Sequence, residues 1–78
     1  MDEYLGVIKL FAGNRVPHGY MKCDGQLLPI SNYQALYSIF GTEYGGNGTQ
    51  DFALPEINTP LNAGMYIICV EGTYPVTD

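Results

Sequence analysis

The sequence predicts an α+β fold: a small, mostly antiparallel sheet, one short helix across it, and long ordered loops. Three observations carry this. Two apolar, β-branched segments stand at residues 4–12 and 65–72. A single stretch, residues 32–40, repeats its apolar residues at helical spacing. Ten glycines and five prolines punctuate everything between. At 78 residues the chain makes one domain, residues 1–78. A chain of this size buries roughly 60 to 65% of its extended surface on folding, so its core is thin.

The first strand is YLGVIKLFA, residues 4–12. Leu5, Val7, Lys9 and Phe11 alternate with Gly6, Ile8, Leu10 and Ala12; the second set is apolar and is expected to face the core, while Lys9 marks the partly covered face. Gly13-Asn14 ends the strand, and NRVPHG, residues 14–19, is a connector. Pro17 holds Val16 extended, and Gly19 is free to take a positive φ. YMKC and QLLPI, residues 20–23 and 26–30, flank Asp24-Gly25. This pair predicts a tight hairpin, or a related turn in which the Asp24 carboxylate accepts backbone N–H bonds.

Ser31 stands as N-cap to the helix, with Gln34 completing a capping box and Ile30 stapled to Ala35. Tyr33, Leu36, Tyr37 and Phe40 form its apolar stripe, and Gly41 ends it. Residues 41–50 are loop. Phe52-Ala53-Leu54 is a bridge-like strand stopped by Pro55, and residues 55–64 are irregular. The final strand, MYIICVEG at 65–72, is apolar on both faces and is expected inside the sheet beside the first strand. The tail, TYPVTD, is expected to pack through Tyr74 and Val76 or to rest on another subunit.

The formal charge of −5 comes from eight acids against Lys9, Arg15 and Lys22. With no basic patch, nucleic-acid binding and attraction to an anionic membrane are disfavoured. Residues 1–13 lack the basic start of a signal peptide, and the longest apolar run, Met65 to Val70, is too short to insert in a bilayer. Cys23 and Cys69 permit one disulfide, closing a loop of about 46 residues. Without a secretory signal, two reduced thiols packing as small hydrophobes are the preferred reading. No zinc spacing is present, and His18 is the only histidine.

Catalytic constellations are weak. His18 with Ser31, Ser38, Cys23 or Cys69 is a combination found in almost any chain, and His18 reads as a turn histidine. Asp24 reads as a turn residue; pairing it with Asp51 or Glu56 as acid and base requires two loops to converge on a cleft. YGGNGTQDFALPE, residues 44–56, resembles a phosphate cradle only in its glycines, lacking the Lys-Ser/Thr and the flanking strand and helix. Asn47, Asp51 and Glu56 are oxygen ligands at irregular intervals, a weak calcium signal. The loop is expected to be scaffold first, with Asn47-Gly48 as a turn and Gly45-Gly46 passing close to the helix end. As contact surface it displays Tyr44, Asn47, Thr49 and Gln50, with Tyr74 a further contact residue. No catalytic residue, metal or cofactor is expected.

These blocks occur in a familiar order. Gly6, Ile8 and Leu10-Phe11 lead to Pro17, Gly19 and Tyr20. Cys23-Asp24-Gly25-Gln26, Tyr33 and Leu36, Tyr44 to Gly48, and Phe52, Leu54 and Pro55 follow. Through about residues 4–56 the chain resembles the phage tail collar domain, also found in microcystin-dependent-type tail proteins. The resemblance implies a structural part of a phage tail or tail-like particle, commonly trimeric and not an enzyme. It further implies synthesis in the bacterial cytoplasm and packing against itself or other tail or baseplate proteins. A carbohydrate- or receptor-binding module at the tail tip is the alternative. Where members usually read Asp-Leu-Arg-Gly-Arg, this chain has Glu56-Ile57-Asn58-Thr59-Pro60. It is similar instead to short tail proteins closed by a Tyr-Ile-Ile-Cys strand, here residues 66–69.

Overall fold

The computed structural model describes residues 3–59 and 64–76. In chain order it holds β1 (Ile8–Phe11), β2 (Tyr20–Lys22), β3 (Leu27–Pro29), a 3-10 turn (Ile30–Asn32), α1 (Gln34–Phe40), β4 (Asp51–Ala53) and β5 (Met65–Cys69). The α+β class holds. The expected single sheet divides into two antiparallel ones, β1-β5-β2 and β3-β4.

β5 is the central strand, as its two apolar faces predict, and the first strand is its neighbour. Ile8 pairs with Ile68 and Phe11 with Met65 on one side; Tyr20 pairs with Cys69 on the other. The expected hairpin of residues 20–23 and 26–30 does not form, because the segment after β4 takes both flanks of the turn: the Ile57 N–H donates to the Cys23 carbonyl at 3.0 Å and the Leu54 N–H to the Gln26 carbonyl at 2.9 Å. β2 pairs with β5, and the chain then crosses to the second sheet, where Leu28 pairs with Phe52. Asp24-Gly25 makes the alternative turn instead. Gly25 has φ +81, and the Gln26 N–H donates to Asp24 Oδ1 at 3.1 Å.

The helix keeps its stripe and loses its cap. Leu36 is buried, and Tyr33, Tyr37 and Phe40 pack beside it on the core. Ser31, expected as N-cap, lies inside the 3-10 turn, and Tyr33 caps the helix with φ −137 and no side-chain bond. The cause lies upstream. Pro29 is extended, and the Ile30 N–H donates to the Gln50 carbonyl at 3.0 Å, so the entering chain is tied to β4's approach and must coil tightly first. Ala35 is exposed, so it makes no staple with Ile30. At the other end Gly41, φ +56, donates its N–H to Tyr37 at 2.7 Å and stops the helix as expected.

Two buried clusters hold the molecule. Cys23, Leu28, Leu36, Phe52, Leu54 and Ile68 join both sheets and the helix. On the opposite face of β5, Tyr20, Ile67 and Cys69 are flanked by Phe11 and Met65. The core side of β1 is therefore the reverse of expectation. Ile8 and Leu10 are 37% and 54% exposed, whereas Leu5 is buried and Phe11 half-buried. β1 lies at the rim, where α1 reaches Gly6 through Ile39 but leaves Ile8 and Leu10 outside. Lys9 closes its own face by folding over Tyr20. Cys23 and Cys69 are buried free thiols in the two separate clusters.

The tail strand ends at Cys69, short of the expected residue 72, because the Val70 and Glu71 N–H groups both turn to the Gly19 carbonyl. Thr73 then forms a parallel bridge with Tyr4, clasping the two ends of the described chain. Residues 60–63, within the expected irregular stretch, lie outside the described residues.

Candidate functional site

The glycine loop is built on β4. Gly45, Gly46 and Gly48 all have positive φ, at +131, +94 and +77. A Cβ on Gly46 would strike the backbone of Asp51 and Phe52, so the close approach is to β4 and not to the helix end as expected. Between these glycines Asn47 acts as the hub. Its Oδ1 accepts the N–H groups of Thr49 and Gln50, both at 2.8 Å, and of Asp51 at 3.3 Å. Asp51 Oδ1 in turn accepts the Asn47 N–H at 2.9 Å. These bonds stand in for secondary structure through residues 47–51.

The structure gathers Asn47, Thr49 and Gln50 in this turn, all exposed. Tyr44 stands at the loop's entrance, 46% exposed, its ring edge-on to Phe40 at 5.4 Å. Tyr74 is elsewhere: its hydroxyl meets Ser38 Oγ at 2.6 Å on the helix. Val76, expected to pack or to rest on another subunit, is 88% exposed on the single chain.

The catalytic combinations are dispersed. His18 is almost fully exposed, with Nε2 3.4 Å from Glu71. Ser38 donates to the Ala35 carbonyl at 2.7 Å, or shares its proton with Tyr74. Cys23 lies in the core, where burial first and Asp24 second push its thiol up to about 11; burial raises Cys69 as well. Thiols so shifted are poor nucleophiles near neutral pH. Asp24 and Glu56 face each other across a backbone bridge, while Asp51 is held by Asn47. Among the described residues no three His, Cys, Asp or Glu side chains gather as a metal site, and no helix is long and apolar enough to cross a membrane. Two hollows among the described residues are open depressions. One, about 450 Å³, is bordered by Lys22, Ile57, Asn58, Thr59 and Tyr66; the other, about 250 Å³, by Leu5, Tyr33, Gln34 and Val70.

One constellation escaped the sequence reading. Glu3 Oε1 accepts Lys9 Nζ at 2.7 Å and the Tyr20 hydroxyl at 2.9 Å, and Lys9 lies 4.9 Å from the Tyr20 ring centre. The bonds from Lys9 and then Tyr20 lower the Glu3 carboxyl, and the same pairing raises Lys9. The signal available beforehand was a lysine inside an otherwise apolar strand, which calls for an acidic partner close at hand.

The site is thus a set of stiff turns around two small clusters, displaying amides, hydroxyls and tyrosines. A comparison with curated proteins finds no match. Residues 6–59 do match the family model of the phage tail collar domain, from the β1 approach through the glycine loop and β4 to Thr59. That span is more than half of the chain, and the chain belongs to the phage tail collar domain family, whose members are structural components of phage tails and tail fibres.

Proposed function

We propose that this protein is an architectural subunit of a phage tail or tail-like particle, packing through self-association or against other tail or baseplate proteins. The observation that carries the reading is the apolar surface left after folding. Tyr4, Leu10, Leu27 and Val76 are each more than half exposed on a chain whose core is small. Such surface on a thin domain is stabilised by assembly. A trimer is the stoichiometry implied by the family resemblance, and the virion tail is the expected location after synthesis in the bacterial cytoplasm. No enzymatic step is assigned.

Light scattering on the purified protein across concentrations at neutral pH tests this. A persistent multiple of the monomer mass supports assembly through the chain's own surface. A monomer at every concentration removes self-association and leaves a heterologous tail partner or the binding-module reading.

The glycine loop favours a second reading, a carbohydrate or receptor contact at the tail tip. Asn47 stiffens the turn from within while leaving Thr49 and Gln50 exposed beside Tyr44's end of the loop. A preorganised polar turn near an aromatic ring suits a sugar. A glycan array tests it: binding lost in Gln50→Ala and Tyr44→Ala supports it, and no binding to any glycan removes it.

A further inference from the structure

Of the asparagines in the chain, Asn47 is the one followed by glycine. That pair is chemically self-reactive, because Gly48 has no side chain to obstruct attack by its own backbone nitrogen. An N–Cγ bond forms from Gly48 to Asn47, closing a five-membered succinimide ring. The Cγ–Nδ2 bond breaks, and Nδ2 leaves as ammonia carrying the proton lost by Gly48. Water then opens the ring at either carbonyl. One opening gives aspartate; the other reroutes the chain through the side chain and gives isoaspartate. Asn47 is exposed, so water is at hand, and by local chemistry alone the site is a fast one.

The structure opposes each part of this step. The nucleophile is engaged: the Gly48 N–H donates to the Asp51 carbonyl at 3.0 Å. A succinimide nitrogen carries no hydrogen, so ring closure forfeits that bond outright. The Gly48 carbonyl accepts the Tyr37 hydroxyl at 3.4 Å, which ties the same residue to α1.

The electrophile is engaged too. Asn47 Oδ1 accepts the N–H groups of Thr49, Gln50 and Asp51, and drawing Cγ onto the Gly48 nitrogen pulls Oδ1 away from that set. Asp51 Oδ1 holds the Asn47 N–H at 2.9 Å, and Gly46 is seated on the backbone of β4, so the turn cannot shift as a whole. Three donors on one oxygen would also stabilise an oxyanion, but only for a nucleophile free to attack. Here the nucleophile is bonded, and the donors hold the starting state.

We propose that Asn47-Gly48 is a self-modification site which the closed glycine loop keeps unreactive, and that deamidation of the opened turn prevents it from closing again. Isoaspartate inserts one methylene into the backbone between residues 47 and 48. The bonds of the turn span two to four positions, so the insertion moves their donors out of register with the acceptor. Each event also adds a negative charge to a chain already at −5. The inference concerns the integrity of the loop and does not depend on what the loop contacts.

The experiment ages the full chain at neutral pH, native in buffer and unfolded in guanidinium. Ion exchange follows the added charge, and peptide mapping by mass spectrometry locates it. The native chain should convert at residue 47 at least about tenfold more slowly than the unfolded one, since local opening limits the reaction. Asp51→Ala, folded by circular dichroism and aged in the same buffer, should fall between them because the Asn47 N–H is released. The isoaspartate product, returned to buffer, should melt below Asn47→Asp, which keeps the normal backbone. A native chain that converts as fast as the unfolded one, or faster, overturns the protection. An isoaspartate product as stable as Asn47→Asp overturns the block to reclosure.

Discussion

Gly46 lies backbone to backbone against Phe52, close enough that a Cβ on the glycine would also come 2.8 Å from the Asp51 carbonyl oxygen. Phe52 is fully buried, with its ring 5.4 Å from Tyr37 and 5.7 Å from Phe40. The glycine loop therefore rests on the strand that carries the largest fully buried side chain, and loop and core share one backbone contact.

Gly46→Ala should be costly for this reason. The new methyl meets β4 backbone that cannot move without disturbing Phe52, and the φ of +94 adds strain of its own. A loss of about 2–4 kcal/mol is expected. Gly41→Ala also carries a positive φ but has nothing within 4 Å, and should lose only about 1–2 kcal/mol. Urea denaturation of the two variants side by side measures the difference, and equal losses would show that the close approach is unimportant.

Asn47 should prove the keystone of the exposed turn. Asn47→Ala leaves three N–H groups without their acceptor, at an expected cost of about 1–2 kcal/mol. Asn47→Asp retains the accepting oxygen and should recover most of that stability. Thermal melts settle it: if Asp is no better than Ala, the acceptor is not what holds the loop.

The Glu3 clasp predicts a pH dependence at the acid end. Its folded carboxyl is depressed below the ordinary 4.5 by Lys9 and then Tyr20. A depressed acid contributes stability that is fully present above its unfolded pKa and is lost as pH falls through the folded one. The clasp should hold at neutral pH and release below about 4.5. Glu3→Gln should flatten that part of the stability profile, measured by denaturation from pH 6 to 2.5. A profile unchanged by the substitution would separate Glu3 from acid sensitivity.

Both thiols should be silent in the native protein. Cys23 is buried and pushed up to about 11, and Cys69 is buried and raised in the second cluster. A thiol-reactive chromophore at pH 8 should label neither at a rate above that of unfolding, and should label both promptly in denaturant. Rapid native labelling would place one of them at an open surface.

Much of this molecule was legible beforehand because its cues are local. The helical stripe of Tyr33, Leu36, Tyr37 and Phe40, the stop at Gly41, the brief strand at Phe52 and the turn at Asn47-Gly48 each rest on residues a few positions apart. The central place of β5 was legible too, since Ile67 and Ile68 leave no face for water. The order of blocks from Gly6 to Pro55 was enough to identify the family.

Other features depended on residues distant in sequence. Asp24-Gly25 makes a good turn whether or not its flanks pair, and only the distant residues 54–57, which bond the Cys23 and Gln26 carbonyls, decided that they would not. Ser31 lost its cap because Gln50, far along the chain, captured Ile30's N–H. Ile8 and Leu10 have the composition of core residues, yet α1 covers Ile68 and Gly6 and stops short of them. Lys9 found Glu3 and Tyr20 only when β1, β5 and β2 came together. Local spacing sets which backbone conformations are available; which apolar face is buried, and which hydrogen bond wins, is set by the neighbours that tertiary packing supplies.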